Sequence, residues 1–279
     1  MIHVACFSGG KDSTAVLLWL RDRGVEFIPL FLDTGWEHPI TYAYLAEVNR
    51  TLLDGKLVTV RSTEYRGGFA ELVVKRQIVP GVHSRFCTEE LKVVPLWRFI
   101  ESLDDEVTVY QGIRAEESQA RADLPPRQWA NEAGGYWIER PLFDWTHQQV
   151  FALLKQHGVP PNPLYLLGAR RVGCWPCIMV SKAELKALLR GTPGLQHRLE
   201  QLEAELNAGR PASEYRSFFR SDYIPERFCS LRIVTKDGRT MVAPTAADVC
   251  SYLEETDAQQ LALFAEPPSR CLSVYNLCE

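Results

Sequence analysis

The sequence has no apolar run that approaches the ~20 residues a bilayer-crossing helix needs, which sets aside a helical membrane span. It has no basic surplus either: 31 Lys and Arg against 35 Asp and Glu leave a formal net charge of -4. Bulk nucleic-acid binding runs on excess positive charge, so only a local basic patch remains open, on the Arg clusters at 114–127 and 170–171. The first residues, Met1–Cys6, show no basic stretch and no small-residue cleavage site; no export is expected, and a cytoplasmic location is. No internal repeat or low-complexity tract occurs, and the phosphate loop Gly-x-x-x-x-Gly-Lys-Ser/Thr is missing.

What is present is an ordinary globular composition, 46% hydrophobic and 24% charged over 279 residues. That length buries one large domain plus an appended region. Apolar runs at Ile2–Phe7, Glu26–Leu32, Lys56–Arg61, Val107–Gly112 and Gly135–Arg140 read as strands. Helical spacing at Thr14–Arg23, Ile40–Leu53, Glu89–Leu103 and Trp145–His157 alternates with them. This rhythm predicts βαβ units, hence an α/β fold with a doubly wound parallel sheet over residues 1–168. Residues 169–279 read as a mostly helical, cysteine-containing region, with helices at Ala183–Arg190, Leu195–Asn207 and Ala246–Glu255. A hairpin is expected at Arg232–Val242, with Asp237-Gly238 at its turn.

Between the first strand and first helix lies Ser8-Gly9-Gly10-Lys11-Asp12-Ser13. Two glycines let the backbone turn and point N–H groups inward. The helix aims its positive end at the same spot, and Lys11 and the Ser8 and Ser13 hydroxyls add donors. The predicted ligand is a pyrophosphate-sized anion at the carboxyl ends of the strands, where Asp33 also falls. Asp33 suits a ribose or a Mg²⁺ bound to pyrophosphate, or simply a turn before Gly35. Asp12 suits the same Mg²⁺ or the helix start. Arg114 and Arg121 suit phosphate or sulfate oxygens, against ion pairing with Glu116, Glu117 or Asp123.

Of eight cysteines, Cys174 and Cys177 form a Cys-x-x-Cys. Alone, it fits a dithiol, half a zinc site or half an iron–sulfur site. Cys6 and Cys250 sit in apolar patterns and read as buried small hydrophobes.

The Ser8–Ser13 loop resembles the Ser-Gly-Gly-x-Asp-Ser signature of the PP-loop ATP pyrophosphatases. Asp33-Thr34-Gly35, Arg85–Lys92, Gly112–Arg121, Pro141–Trp145 and Asn162–Tyr165 are similar, in order, to segments of the phosphoadenylyl-sulfate (PAPS) reductase family. The resemblance covers about residues 1–180. It implies that the nucleotide meets Ser8, Gly9, Gly10, Lys11, Asp12, Ser13, Asp33, Thr34, Gly35, Gly112, Arg114 and Arg121, with Lys11, Asp12 and Arg114 nearest the chemistry. It further implies that Cys87, Cys174 and Cys177 gather round one [4Fe–4S] cluster, as in iron–sulfur adenylyl-sulfate (APS) reductases. Thr88 stands where those enzymes have a further cysteine, so the fourth ligand falls to Cys229, Cys271 or Cys278. The alternative set is Cys174, Cys177, Cys271 and Cys278 with Cys87 free, and zinc is the alternative metal. Gly173–Cys177 is similar to a stretch in the ATP-pyrophosphatase component of DNA phosphorothioation systems. The C-terminal Glu-Cys-Gly-x-His of PAPS reductases has no counterpart here. The expected activity is cleavage of ATP to AMP and pyrophosphate, activating an acceptor for sulfur transfer, with a sulfur donor or partner subunit implied. The alternatives are sulfonucleotide reduction of PAPS or APS, and non-catalytic nucleotide and cluster binding in a nucleic-acid modification or defence complex.

Overall fold

The structure is a computed structural model that describes residues 1–81, 83–234 and 238–263, without the side chains of 257–263. By internal contacts the chain divides into two compact units. The first holds Met1–Leu72, Arg85–Tyr165 and Arg170–Cys177; the second holds Val73–Ser84, Leu166–Ala169 and Ile178 onward. Neither unit is contiguous, whereas the sequence suggested a single cut between 168 and 169.

In the first unit, strands β1 (Ile2–Cys6), β2 (Ile28–Leu32), β3 (Val58–Val60), β4 (Val107–Tyr110), β5 (Arg127–Ala130) and β6 (Tyr136–Glu139) form one sheet in the order β3-β2-β1-β4-β6-β5. Every pairing is parallel except β5 with β6. Parallel neighbours need crossovers. The helical segments between them are α1 (Lys11–Asp22), α2 (Pro39–Thr51), α3 (Gly68–Arg76), whose residues from Val73 on belong to the second unit, α4 (Phe86–Thr88), which runs through a π-helical turn at Glu89–Val93 into α5 (Val94–Glu101), and α6 (Gln119–Ala122). Helix α7 (His147–Gln156) follows β6.

Side chains alternate across a strand, and β1 shows the consequence. Ala5 and Phe7 join a cluster with Leu17 and Leu18 of α1, Leu45 of α2 and Leu154 of α7. Val4 joins the opposite cluster with Leu30, Val109, Ile138 and Leu96 and Ile100 of α5. Both faces of the sheet are therefore covered, as a doubly wound α/β fold requires. The chain passes from β1 outward to β3, then returns to the other side of β1 as β4. The strand order reverses between β1 and β4, and ligands of such sheets bind beyond the strand ends at that reversal.

Helix α3, the short α6 and the antiparallel edge strand β5 have no counterpart in the sequence reading. Strand β4 stops at Tyr110, so Gly112 lies in the loop beyond it.

The second unit holds α8 (Lys182–Gly191), α9 (Leu195–Leu206), the antiparallel pair β7 (Leu231–Val234) and β8 (Thr240–Ala243), and α10 (Ala246–Leu263). Leu185, Leu188, Leu199, Leu202, Val249, Cys250 and Leu253 are buried here. Burial pushes the Cys250 thiol up to about 12, as fits a small hydrophobe. Glu203 of α9, half-buried, accepts the Phe218 amide at 2.8 Å and the Ala246 amide at the start of α10 at 2.9 Å. Asp237 of the expected turn, and Cys271 and Cys278, lie outside the described residues. Among the described residues no helix is long and apolar enough to cross a membrane.

Candidate functional site

The loop from Ser8 to Ser13 leaves β1 and becomes the first turn of α1. Gly9 takes φ +76°, the left-handed region that favours glycine. The loop's side chains tie it to itself. The Ser13 hydroxyl accepts the Ser8 amide at 3.2 Å and donates to the Gly10 carbonyl at 2.9 Å, which also receives the Thr14 hydroxyl at 2.9 Å. Asn162 donates to the Gly9 carbonyl at 3.1 Å, and the Tyr165 hydroxyl accepts the Lys11 amide at 3.0 Å. The Asn162–Tyr165 segment therefore braces the loop from behind. The first amides of a helix lack internal partners, and among the described residues those of Asp12 and Ser13 find no acceptor.

Gly112, just past β4, lies against this turn. A Cβ there would stand 2.6 Å from the Ser13 nitrogen and 2.7 Å from the Asp12 carbonyl carbon. Its role is thus close backbone approach at the strand-order reversal.

Lys11 Nζ meets Asp12 Oδ2 at 2.7 Å, and Arg114 Nε meets Asp12 Oδ1 at 2.6 Å. Arg114 is 3% exposed; its Nη1 also donates to Glu116 and to the Trp145 carbonyl. Burial works against its charge, but Asp12, Glu116 and Glu117 outweigh it and hold the guanidinium above its usual range. Arg121 pairs with Glu117. A cleft of about 90 Å³ opens over the loop, lined by Ser8, Gly10, Lys11, Gly112, Arg121 and Arg171 among others. Arg114 does not line it; it anchors Asp12 from below.

Asp33 follows β2 and is 3% exposed. Oδ1 accepts the Gly35 amide at 2.8 Å and the Tyr42 hydroxyl at 2.7 Å, and Oδ2 accepts Arg61 Nε at 2.7 Å. Burial raises its pKa, but these donors outweigh burial and hold the carboxyl below its usual value. The loop beyond it meets the start of α3: Phe69 N–H donates to the Thr34 carbonyl at 2.8 Å. Gly68 has φ +73°, and a Cβ there would lie 2.1 Å from that carbonyl oxygen. His38 caps α2 by accepting the Ile40 amide on Nδ1 at 2.9 Å and packs edge-on against Trp175.

The same loop carries the Cys-x-x-Cys segment. Glu37 and Cys174 form an antiparallel bridge, Trp175 N–H donates to the Trp36 carbonyl at 2.7 Å, and Trp36 Nε1 donates to the Pro176 carbonyl at 3.2 Å. Thr34 Oγ1 lies 3.6 Å from Cys174 Sγ. Cys87, Cys174 and Cys177 lie within one another's electrostatic reach, and Lys92 within reach of all three. Burial raises the Cys174 thiol, against the charge of Lys92, which lowers it. Burial, then the neighbouring Cys174 and Cys177, raise Cys87. Glu37 is pushed up by burial and drawn back by Lys92. Lys92 is held above its usual range chiefly by Cys174.

The sequence pattern thus brings together the phosphate-loop residues on one side and Cys87, Cys174 and Cys177 on another. Cys229 lies in the second unit, where its thiol donates to the Pro225 carbonyl at 3.7 Å. Sequence reasoning gave no role to Glu37, Trp36 or Lys92. Lys92 stood in a matched motif, Arg85–Lys92; nothing local marks the other two.

Of the two carboxylates offered for Mg²⁺, Asp33 does not suit it: Oδ1 takes the Gly35 amide and the Tyr42 hydroxyl, and Oδ2 takes two guanidinium nitrogens of Arg61. Each oxygen of Asp12 takes a single donor and keeps a lone pair for the ion. Three thiols beside a lysine do suit, as donors, a thiolate-bound metal or cluster. As placed, no three His, Cys, Asp or Glu side chains among the described residues form a ligating group.

Residues 2–180 match the phosphoadenosine phosphosulfate reductase domain. The chain belongs to that family. It is 32% identical over 280 residues to an uncharacterized 37.8 kDa protein in the gpa 5' region of Escherichia phage 186, covering 81% of each chain. It is 32% identical over 173 residues to the phosphoadenosine 5'-phosphosulfate reductase of Vibrio vulnificus, covering 61% of this chain and 64% of that one, just under two thirds of its length. Among solved structures, the PAPS reductase of Candida auris in a phosphate complex aligns with TM-score 0.49 and 22% identity, over 63% of this chain and 83% of that one.

Proposed function

We infer that this PAPS-reductase-family chain binds ATP with its phosphates on the Ser8–Ser13 loop and breaks it at the α-phosphate. The observation that supports this reading is the loop itself: a helix start at the strand-order reversal, with Lys11 beside it and unpaired amides on Asp12 and Ser13. An acceptor oxygen attacks the α-phosphorus, the bond to the β-phosphate oxygen breaks, pyrophosphate leaves and the acceptor's proton passes to solvent. Charge grows on the leaving pyrophosphate, where preorganised N–H donors and a cation act most strongly. Lys11 would turn from Asp12 to that oxyanion, while Arg114 keeps Asp12 neutralised. Arg114 and Gly112 are then positioning residues. Magnesium would arrive with the nucleotide, with Asp12 rather than Asp33 as the carboxylate open to it.

On this reading Cys87, Cys174 and Cys177 hold a [4Fe–4S] cluster or zinc, with Cys271 or Cys278 as the fourth ligand. Such a cluster, when bound, supplies electron transfer or a sulfur-handling centre. Binding must displace the thiol protons that burial retains. Anaerobic purification tests this directly. Iron and visible absorption that vanish in Cys174→Ser support the cluster, bound zinc supports the alternative, and neither metal in any preparation excludes both.

The main test incubates anaerobic protein with ATP and Mg²⁺, with and without candidate acceptors such as nucleic acid. AMP and pyrophosphate are expected. Release of γ-phosphate alone, or no ATP binding, sinks the proposal. A second reading, sulfonucleotide reduction, is favoured by the likeness to the Vibrio vulnificus reductase. It requires sulfite release from PAPS or APS with a thiol reductant, abolished in Cys278→Ser.

A further inference from the structure

Five charged side chains line the cleft over the phosphate loop, and four of them are already engaged. Lys11 pairs with Asp12, and Arg121 pairs with Glu117. The fifth is Arg171. It is exposed, and no hydrogen bond or ion pair engages it among the described residues. It sits next to Val172, whose Cβ lies 3.8 Å from where a Cβ on Gly10 would be, so the backbone carrying it passes close over the loop. Three residues later the same segment is fastened at Cys174, Trp175 and Pro176 to residues 36 and 37. Arg171 is therefore a free guanidinium on an anchored strap rather than on a loose surface loop.

We propose that Arg171 is the specificity residue for the oxyanion beyond the α-phosphate of the bound nucleotide. This rests on the loop being a nucleotide site. The class of group it takes is a tetrahedral oxyanion, which a planar guanidinium grips with two parallel hydrogen bonds. Two sources share that chemistry: the β,γ-diphosphate of ATP and the sulfate of adenylyl sulfate. AMP lacks the group. Lys11 and the helix amides meet the phosphates from the α1 side, and Arg171 meets them from the strap side. The residue thus distinguishes a nucleotide worth cleaving from the spent monophosphate, and it ties occupancy of the cleft to the segment that carries Cys174 and Cys177.

The experiment measures equilibrium binding of ATP, adenylyl sulfate and AMP to the full chain, to Arg171→Gln and to Arg171→Lys, with thermal unfolding to show that the variants stay folded. Arg171→Gln should weaken the nucleotide that the wild type prefers by about tenfold or more, the size of a lost charge-assisted pair, and leave AMP nearly unchanged. Arg171→Lys, a point charge without the fork, should recover part of the loss. The inference is overturned if Arg171→Gln binds all three like the wild type, or weakens all three equally. Its fate separates from that of the ATP reading. Preference for adenylyl sulfate, lost in Arg171→Gln, refutes ATP and upholds Arg171. Preference for ATP, untouched in Arg171→Gln, does the reverse. No preference over AMP in the wild type removes both.

Discussion

Residues 8–13 take their shape from one another, whereas residues 170–177 take theirs from a loop about 140 positions earlier. In the first, glycine dihedrals, two serine hydroxyls and a helix start make an anion cradle within six residues. In the second, a Cys-x-x-Cys segment becomes a partly buried thiol pocket only because Thr34, Trp36 and Glu37 hold it and Lys92 lies beside it. Local chemistry makes the first site; tertiary pairing makes the second. Variants that strike one site and spare the other test that division.

The largest effect is expected where the local site does depend on a distant residue. Gly112→Ala puts a methyl within 3 Å of the backbone of Asp12 and Ser13. Overpacking against backbone costs about 3 kcal/mol, so urea unfolding should show a lower midpoint, and nucleotide binding should be lost. A variant as stable as the wild type would show that the β4 loop does not press on α1. Next is Lys11→Met. It removes the mobile cation but leaves Asp12 paired with Arg114, so the fold should hold. Nucleotide binding should weaken roughly ten- to hundredfold, about 1.4–2.8 kcal/mol, as calorimetric titration would read. Iron or zinc content should stay at the wild-type level, and a fall in metal would mean that the two sites are not separable.

How much could be read in advance follows the same line. The parallel sheet, its helices and the Ser8–Ser13 loop were legible because their signals are periodicity and glycine placement. Helix α3 was not. It begins at Gly67-Gly68, which reads as a breaker, and the reason for Gly68 is a carbonyl of Thr34 that only the fold brings near. Strand β5 was hidden because Arg127–Ala130 has a single apolar aromatic, Trp129, and that residue is exposed at the sheet edge. Arg114 could be chosen as important from its motif, yet its target, Asp12, is 102 positions away. Nothing in the sequence marked Glu37, which is buried and forms its bridge with a segment 137 positions later.

Two smaller predictions sharpen the comparison. Asp33 has its carboxyl held below 3.8 by Gly35, Tyr42 and Arg61 in spite of burial. The stabilisation is fully present above that ordinary value and is lost as pH falls through the lower folded one. Stability measured from about pH 5 down to pH 2 should fall less steeply in Asp33→Asn than in the wild type. An unchanged slope would place Asp33 outside the pairing. Smallest is Tyr165→Phe, which deletes the acceptor of the Lys11 amide. A single hydrogen bond of this kind contributes about 1 kcal/mol, so nucleotide affinity should change by only a few-fold while the thermal midpoint drops slightly.

The bridge between Glu37 and Cys174 also fixes an order of events in synthesis. A ribosome delivers residue 37 long before residue 174, and closing so wide a loop carries an entropic cost that local turns avoid. Contacts of such sequence separation form late in folding. During most of translation, therefore, Trp36 and Glu37 have Phe69, Thr34 and Tyr42 beside them but lack the thiol segment, and the cradle at Ser8–Ser13 takes shape before that segment exists. The thiol segment closes onto a chain already committed to its sheet. A stalled nascent chain ending before residue 170 should show this directly, with Trp36 open to quencher and β1, β2 and β4 already protected from exchange.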